Sequence, residues 1–345
     1  MEEISPQPAS ASGDTARADA SLPGGFGTFF LAIAALALLR IALGFISLPD
    51  SALPAVNILL AILFVAAPVF AEFFGANAPW KASRAAMFLV GGVACHVLFG
   101  YLTLKSGGVA AGVCNAIAQM GLATWCVGLG ALLGVGLRDK NLLIPISIFG
   151  AAYDFYLVIA PAGLPGAGLT KHIIQTAPKV FTSVAAQVPA VSSHAATGRA
   201  EVGTYIGPAD LVFLAAFFIV VFRFKMNARL TLMLMAPVLV LYMLVVLTTG
   251  IALPALVPIG ACILVANWKY FNLKRDEWIA TIGVAIFCAA FLTWGMLRKR
   301  AEPAEPSPPV SAPASQGSVT TPAPTSSSPH QSRFRTSPGS TPDRP

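Results

Sequence analysis

The sequence predicts an all-α, polytopic bundle of about nine transmembrane helices, and three observations carry that prediction. Of the 345 residues, 56% are hydrophobic and only 11% are charged, whereas a soluble domain carries roughly 25% charged residues. The mean hydropathy of +0.74 exceeds what a soluble fold of this size can cover with polar surface. Nine apolar runs also reach or approach the roughly 20 residues that cross a bilayer core of about 30 Å. They span 26–48, 53–73, 84–104, 109–137, 142–162, 205–223, 229–250, 254–271 and 278–297.

These runs divide the chain. Residues 1–25 contain Glu2, Glu3, Asp14 and Asp19 against Arg17 alone. They lack the basic n-region of a secretory signal and read as a disordered tail. Residues 26–140 hold four runs and form an N-terminal transmembrane scaffold. The fourth run is long and Gly-rich, which suits a tilted helix. Residues 141–162 supply a fifth helix. Residues 163–204 form a long extramembrane loop, and its segment 169–188 has enough helical periodicity (Leu169, Ile173, Ile174, Val180, Val184) to lie in the interface. Residues 205–297 hold the last four helices. Residues 298–345, dominated by Pro, Ser, Thr and Ala, read as a second disordered tail.

The net charge of +7 follows from loop Lys and Arg that set topology. No basic helix or aromatic-interleaved basic patch points to nucleic acid. With the N-terminus inside, ten basic residues fall in the short inside loops and only Lys105 in the outside ones, so the positive-inside rule favours that orientation. Arg298, Lys299 and Arg300 oppose it. The expected location is a multi-pass integral membrane protein, in the plasma (inner) membrane if the source is bacterial. The five cysteines all lie in apolar runs without a CxxC pair, which suggests packing rather than disulfides or zinc. His96 is a lone histidine in the third run and reads as a packing residue. No HExxH or GxSxG motif is present. Prepilin-peptidase signatures are missing too. No cofactor or metal is expected.

With so few charges, those inside the apolar runs mark function by default. Glu72 ends the second run and is expected to reach the interface, and Arg40 to snorkel from the first run. That leaves Asp154, about eight residues before the end of the fifth run, and Asp210, about five residues into the sixth. The 163–204 loop joins those two ends, so both carboxylates lie on one side, roughly 8–12 Å below one membrane face. The eighth run starts on that same face with Leu253-Pro254-Ala255-Leu256-Val257-Pro258. Its prolines break the helical ladder, and the freed backbone groups need partners in protein, water or a ligand. Each feature also has a plain structural reading. Asp154 can pair with a polar group in the bundle, Asp210 can cap a helix N-terminus, and the proline-rich segment can be an ordinary helix start.

Together these residues resemble a known family. Tyr153-Asp154 looks like the YD motif of presenilins and signal peptide peptidases, Gly207-Pro208-Ala209-Asp210 resembles their GxGD motif, and Pro254-Ala255-Leu256 matches their PAL motif, in the same order. The resemblance covers roughly 142–268. It implies a presenilin-like catalytic half in which Asp154 and Asp210 are the catalytic dyad of an intramembrane aspartyl protease. Tyr153, Gly207, Ala209, Pro254, Ala255 and Leu256 would support the active site and hold substrate. Three features depart from the pattern: Ala209 replaces the second glycine, five spans rather than six run through YD, and a ninth run follows PAL. Two carboxylates in a low-dielectric site share one proton, so that one activates water while the other polarises the scissile carbonyl. Transmembrane proteins or peptides would be the substrates and the bilayer the medium. Accessory subunits are not specified. The alternatives are a proton- or cation-coupled transporter, although no paired halves are visible, and a catalytically silent relative that binds transmembrane helices.

Overall fold

The computed structural model describes residues 24–159, 185–193, 198–249 and 253–301. Among them, nine α-helices follow one another with a two-stranded sheet between the fifth and sixth. The helices are α1 (Phe26–Leu43), α2 (Leu53–Ala76), α3 (Ala82–Lys105), α4 (Gly108–Gly136), α5 (Leu143–Ile159), α6 (Pro208–Arg223), α7 (Ala228–Thr249), α8 (Leu256–Asn267) and α9 (Arg275–Ala301). The strands are β1 (Ala186–Ala190) and β2 (Glu201–Ile206). Seven helices are long and apolar enough to cross a membrane; α6 and α8 are too short. The chain is therefore a multi-pass helical membrane protein.

The outer helices and the central one differ in how they bury their apolar surface. Helix α3 exposes Met87, Val90, Val97, Tyr101 and Leu104, which suits a lipid-facing surface. It packs on α4 through glycines: a Cβ on Gly92 would lie 2.4 Å from the Trp125 nitrogen, and one on Gly128 would lie 2.4 Å from the Leu89 nitrogen. Small residues let backbones approach where lipid gives no hydrophobic drive for helix association. Helix α6 is buried on every side from Leu211 to Val221, as an all-apolar helix in a bundle centre should be. Gly130 and Gly134 of α4 accommodate it, since a Cβ on Gly130 would come within 2.6 Å of the Val212 carbonyl oxygen. At the far end, the Arg223 guanidinium reaches the carbonyls of Gly134, Val135 and Leu137 at 2.9, 2.7 and 2.6 Å. These are the free acceptors at the α4 C-terminus, where a cation is favoured.

The strands depart from the all-helical expectation. β1 and β2 pair antiparallel, with an irregularity between Val188 and Pro189. They correct two boundaries of the sequence reading: 201–204 of the presumed loop is strand, and the sixth helix starts at Pro208 rather than 205. Of the expected interfacial helix over 169–188, residues 186–188 are strand, while 169–184 lies outside the described residues.

Polar side chains from three helices hold β1. Asn57 of α2 donates to the Val191 carbonyl (3.1 Å) and accepts from its N–H (2.9 Å). On α4, Gln119 accepts from the Gln187 N–H (3.0 Å), and Asn115 donates to the Gln187 side chain (3.0 Å). Arg40 of α1 donates to the Gln187 carbonyl and lies 5.4 Å from the Phe64 ring centre. Arg40 therefore does not snorkel to water: it is 7% exposed because a strand inside the bundle needs its donor. Gly198, at φ 76°, returns the chain against Gly44, to whose carbonyl it donates at 2.9 Å.

The expectations for His96 and the cysteines agree with the structure. His96 is buried, with Nδ1 2.9 Å from the Ala118 carbonyl, which is a packing contact between α3 and α4. All five cysteines are free.

The docking of β1 yields a prediction. Asn57→Ala removes two hydrogen bonds and leaves the Val191 N–H and C=O without partners, at a cost of about 1–3 kcal/mol. Thermal unfolding of the purified protein, followed by reaction of a thiol dye with the buried cysteines, should show a lower midpoint than wild type.

Candidate functional site

The two short helices build the site. Helices α6 and α8 both begin beside one cavity, and their N-terminal N–H groups have no intrahelical acceptor. The positive ends of their dipoles favour carboxylates there. In α6, Gly207 is the N-cap and Pro208 follows it in the first turn, where the missing proline N–H costs nothing. Asp210 is the third residue of that turn. Its carboxylate folds back over Gly207 and faces that residue's N–H. A Cβ at 207 would sit 3.1 Å from Asp210 Oδ2, so glycine is what leaves room for the acid.

In α8 the carboxylate comes from another helix. Asp154 of α5 accepts the Leu256 N–H at 2.8 Å, and the Ala255 N–H also points towards it. The Pro254-Ala255-Leu256 segment thus presents its free backbone donors to Asp154. The segment is fixed from the other side by Tyr242 of α7, whose hydroxyl donates to the Leu253 carbonyl. At the opposite end of α8, Asn267, fully buried, accepts from the Asn227 N–H (2.9 Å) and donates to Thr231 Oγ1 (2.8 Å). Helix α8 is therefore tied to α7 at both ends.

Asp154 and Asp210 line one cavity of about 500 Å³ and lie within electrostatic range of each other. Tyr242 lies within range of both. Walls of the cavity come from α2, α5, β2, the start of α6, α7 and the segment leading into α8. Gly207, Ala209 and Ala255 also line it. Ala209 is exposed, so its extra methyl is not wedged against a neighbouring helix. Leu256 contributes its N–H, while its side chain joins the main core. Pro254 is buried but does not line the cavity, and neither does Tyr153, which is 49% exposed and stacks on Phe149 at 6.1 Å. The structure thus brings together Asp154, Asp210, Gly207, Ala209 and the 255–256 backbone. Tyr153 stands apart.

Sequence reasoning missed Tyr242. Its signal was present, as the single tyrosine of the run 229–250, but the partner at Leu253 is set by how α7 returns to α8. Among the described residues, no group of three or more His, Cys, Asp or Glu side chains is placed to hold a metal ion.

No family model matches the chain, and neither the curated proteins nor the solved structures yield a match.

The bond between Asp154 and Leu256 can be tested by hydrogen exchange. A hydrogen bond to a charged group contributes about 1.5–3 kcal/mol, so Asp154→Ala should accelerate exchange of the Leu256 amide about tenfold or more. Peptides from the middle of α6 should keep wild-type protection.

Proposed function

We propose that the chain is an intramembrane aspartyl protease that hydrolyses peptide bonds of transmembrane segments with Asp154, Asp210 and a water. One observation carries this reading. Two acids from helices far apart in sequence line the same cavity, and the PAL-like backbone that the family resemblance singled out is hydrogen-bonded to one of them.

The chemistry follows from the pair. Two carboxylates sharing a low-dielectric site hold one proton between them, because adjacent like charges cannot both be sustained. The ionised member removes a proton from water as it attacks the scissile carbonyl. The protonated member donates to that carbonyl's oxygen and later passes its proton to the leaving amine. The dyad titrates as a unit, so neither role belongs to one residue. The Leu256 N–H at the start of α8 orients the Asp154 carboxylate, leaving its remaining oxygen for water and substrate. Tyr242 acts through the Leu253 carbonyl and is a positioning residue.

The substrate must open to an extended form, since a helical peptide bond is shielded by its own turn. Strand β2 supports such binding. It pairs with β1, and its residues Thr204, Tyr205 and Ile206 line the cavity, so an extended peptide in the cavity would lie along a strand, the arrangement that main-chain recognition uses.

A carboxylate that only caps α8 would make the same bond to Leu256, and mutation separates the two roles. In lipid with a model transmembrane substrate, Asp154→Ala and Asp210→Ala should each reduce cleavage by at least about 10²-fold. Asp154→Asn and Asp210→Asn should do the same while retaining the thermal midpoint within a few degrees. Gly207→Val, which drives a side chain into the Asp210 carboxylate, should also lose most activity. Cleavage that survives either asparagine variant would refute the dyad.

A further inference from the structure

Glu72 does not reach the interface as its place in the sequence suggested. It is 2% exposed, and neither carboxylate oxygen has a hydrogen-bond partner. The reason is packing: the end of α2 lies against α1, with Gly75 pressed onto Phe29, and the side chain turns inward.

Glu72 borders a second cavity, of about 70 Å³, distinct from the one that holds the two aspartates. The wall from α1 runs from Phe29 to Arg40, twelve residues that rise about 16 Å along the helix. The cavity is therefore a narrow cleft beneath the strands, with Arg40, Gln119 and Gln187 contributing polar groups. Ile206 and Leu211 belong to both cavities and form the partition between them.

Among the described residues, the charged and titratable groups near Glu72 or its cavity are few. From α1 there is Arg40, engaged with the Gln187 carbonyl and the Phe64 ring. From α4 there is Cys126, whose thiol faces the Pro208 carbonyl at 3.6 Å and lies within electrostatic range of both Glu72 and Asp210. β1 contributes only the neutral Gln187. No cation contacts the Glu72 carboxylate, and an unpaired anion in apolar surroundings is among the most costly groups a protein can bury. The neutral acid is far cheaper, but its O–H still needs an acceptor. A cavity of about 70 Å³ exceeds the ~10–15 Å³ that one water requires.

We propose that Glu72, at the edge of this cleft, is an internal proton-binding site and is carried as the neutral carboxylic acid. The proton is the ligand, and the adjoining cleft is the route by which it exchanges. The site does not rest on the proteolytic reading and stands whether or not the dyad cleaves peptides.

Infrared spectroscopy of the full-length protein in lipid at neutral pH tests this, reading the carbonyl stretch of protonated carboxylic acids. Of the seven glutamates, only Glu72 lies in an apolar run. A protonated-carboxyl band that shifts when glutamate, but not aspartate, carries carbon-13 supports the site. A band that shifts only with labelled aspartate belongs to the dyad, and the absence of a glutamate band overturns the proposal. The glutamate band should move on transfer to D₂O, whereas a band that stays fixed after prolonged exchange overturns the cleft as the exchange route. Glu72→Gln should remove the glutamate band. Should that variant fail to fold, the isotope shift in the wild-type protein still decides.

Discussion

A backbone that leaves the helix inside an apolar bundle must find a partner for every N–H and C=O it exposes. The architecture of this protein follows from how that requirement is met at three places. At β1 the partners are Arg40, Asn57 and Gln119, which bond the main chain while Asn115 holds the Gln187 side chain. At the start of α6 they are Pro208, which has no N–H to satisfy, and Asp210, which folds back over Gly207. At the start of α8 the partner is Asp154, brought from a helix about a hundred residues away. The last two solutions place carboxylates at neighbouring helix N-termini, and the candidate site is their meeting point.

This explains why structural and chemical roles need not compete at these residues. A helix N-terminus offers several donors, whereas a carboxylate has about four acceptor positions. Asp154 can satisfy Leu256 and still present an oxygen to the cavity. Tyr242 extends the same logic by one step, since its bond to Leu253 fixes the turn whose donors orient Asp154.

Much of this was legible in the sequence. The nine runs corresponded to nine helices because each is uniformly apolar, and the third run, read as 84–104, became Ala82–Lys105. Asp154, Asp210 and the 254–256 segment stood out because charges and prolines are costly in such runs. What was hidden depends on contacts distant in sequence. Strand β1 carries Pro189 at an irregular position and lacks clean alternation, so nothing in its pattern marks it as a strand. Arg40 and Glu72 were placed by counting residues to the end of a run, which assumes that the end meets water. Packing of α1 against α2, and of β1 against both, removes that water. The polar residues Asn57, Asn115 and Gln119 were a visible signal of buried non-helical backbone, but they pointed to no particular partner.

The most direct test is a structure determined experimentally with a peptidomimetic whose hydroxyl group stands in for the tetrahedral intermediate of peptide hydrolysis. The hydroxyl is expected between the Asp154 and Asp210 carboxylates, within hydrogen-bond distance of both, with the ligand backbone extended along β2. A ligand bound elsewhere, or carboxylates too far apart to share its hydroxyl, would contradict the account.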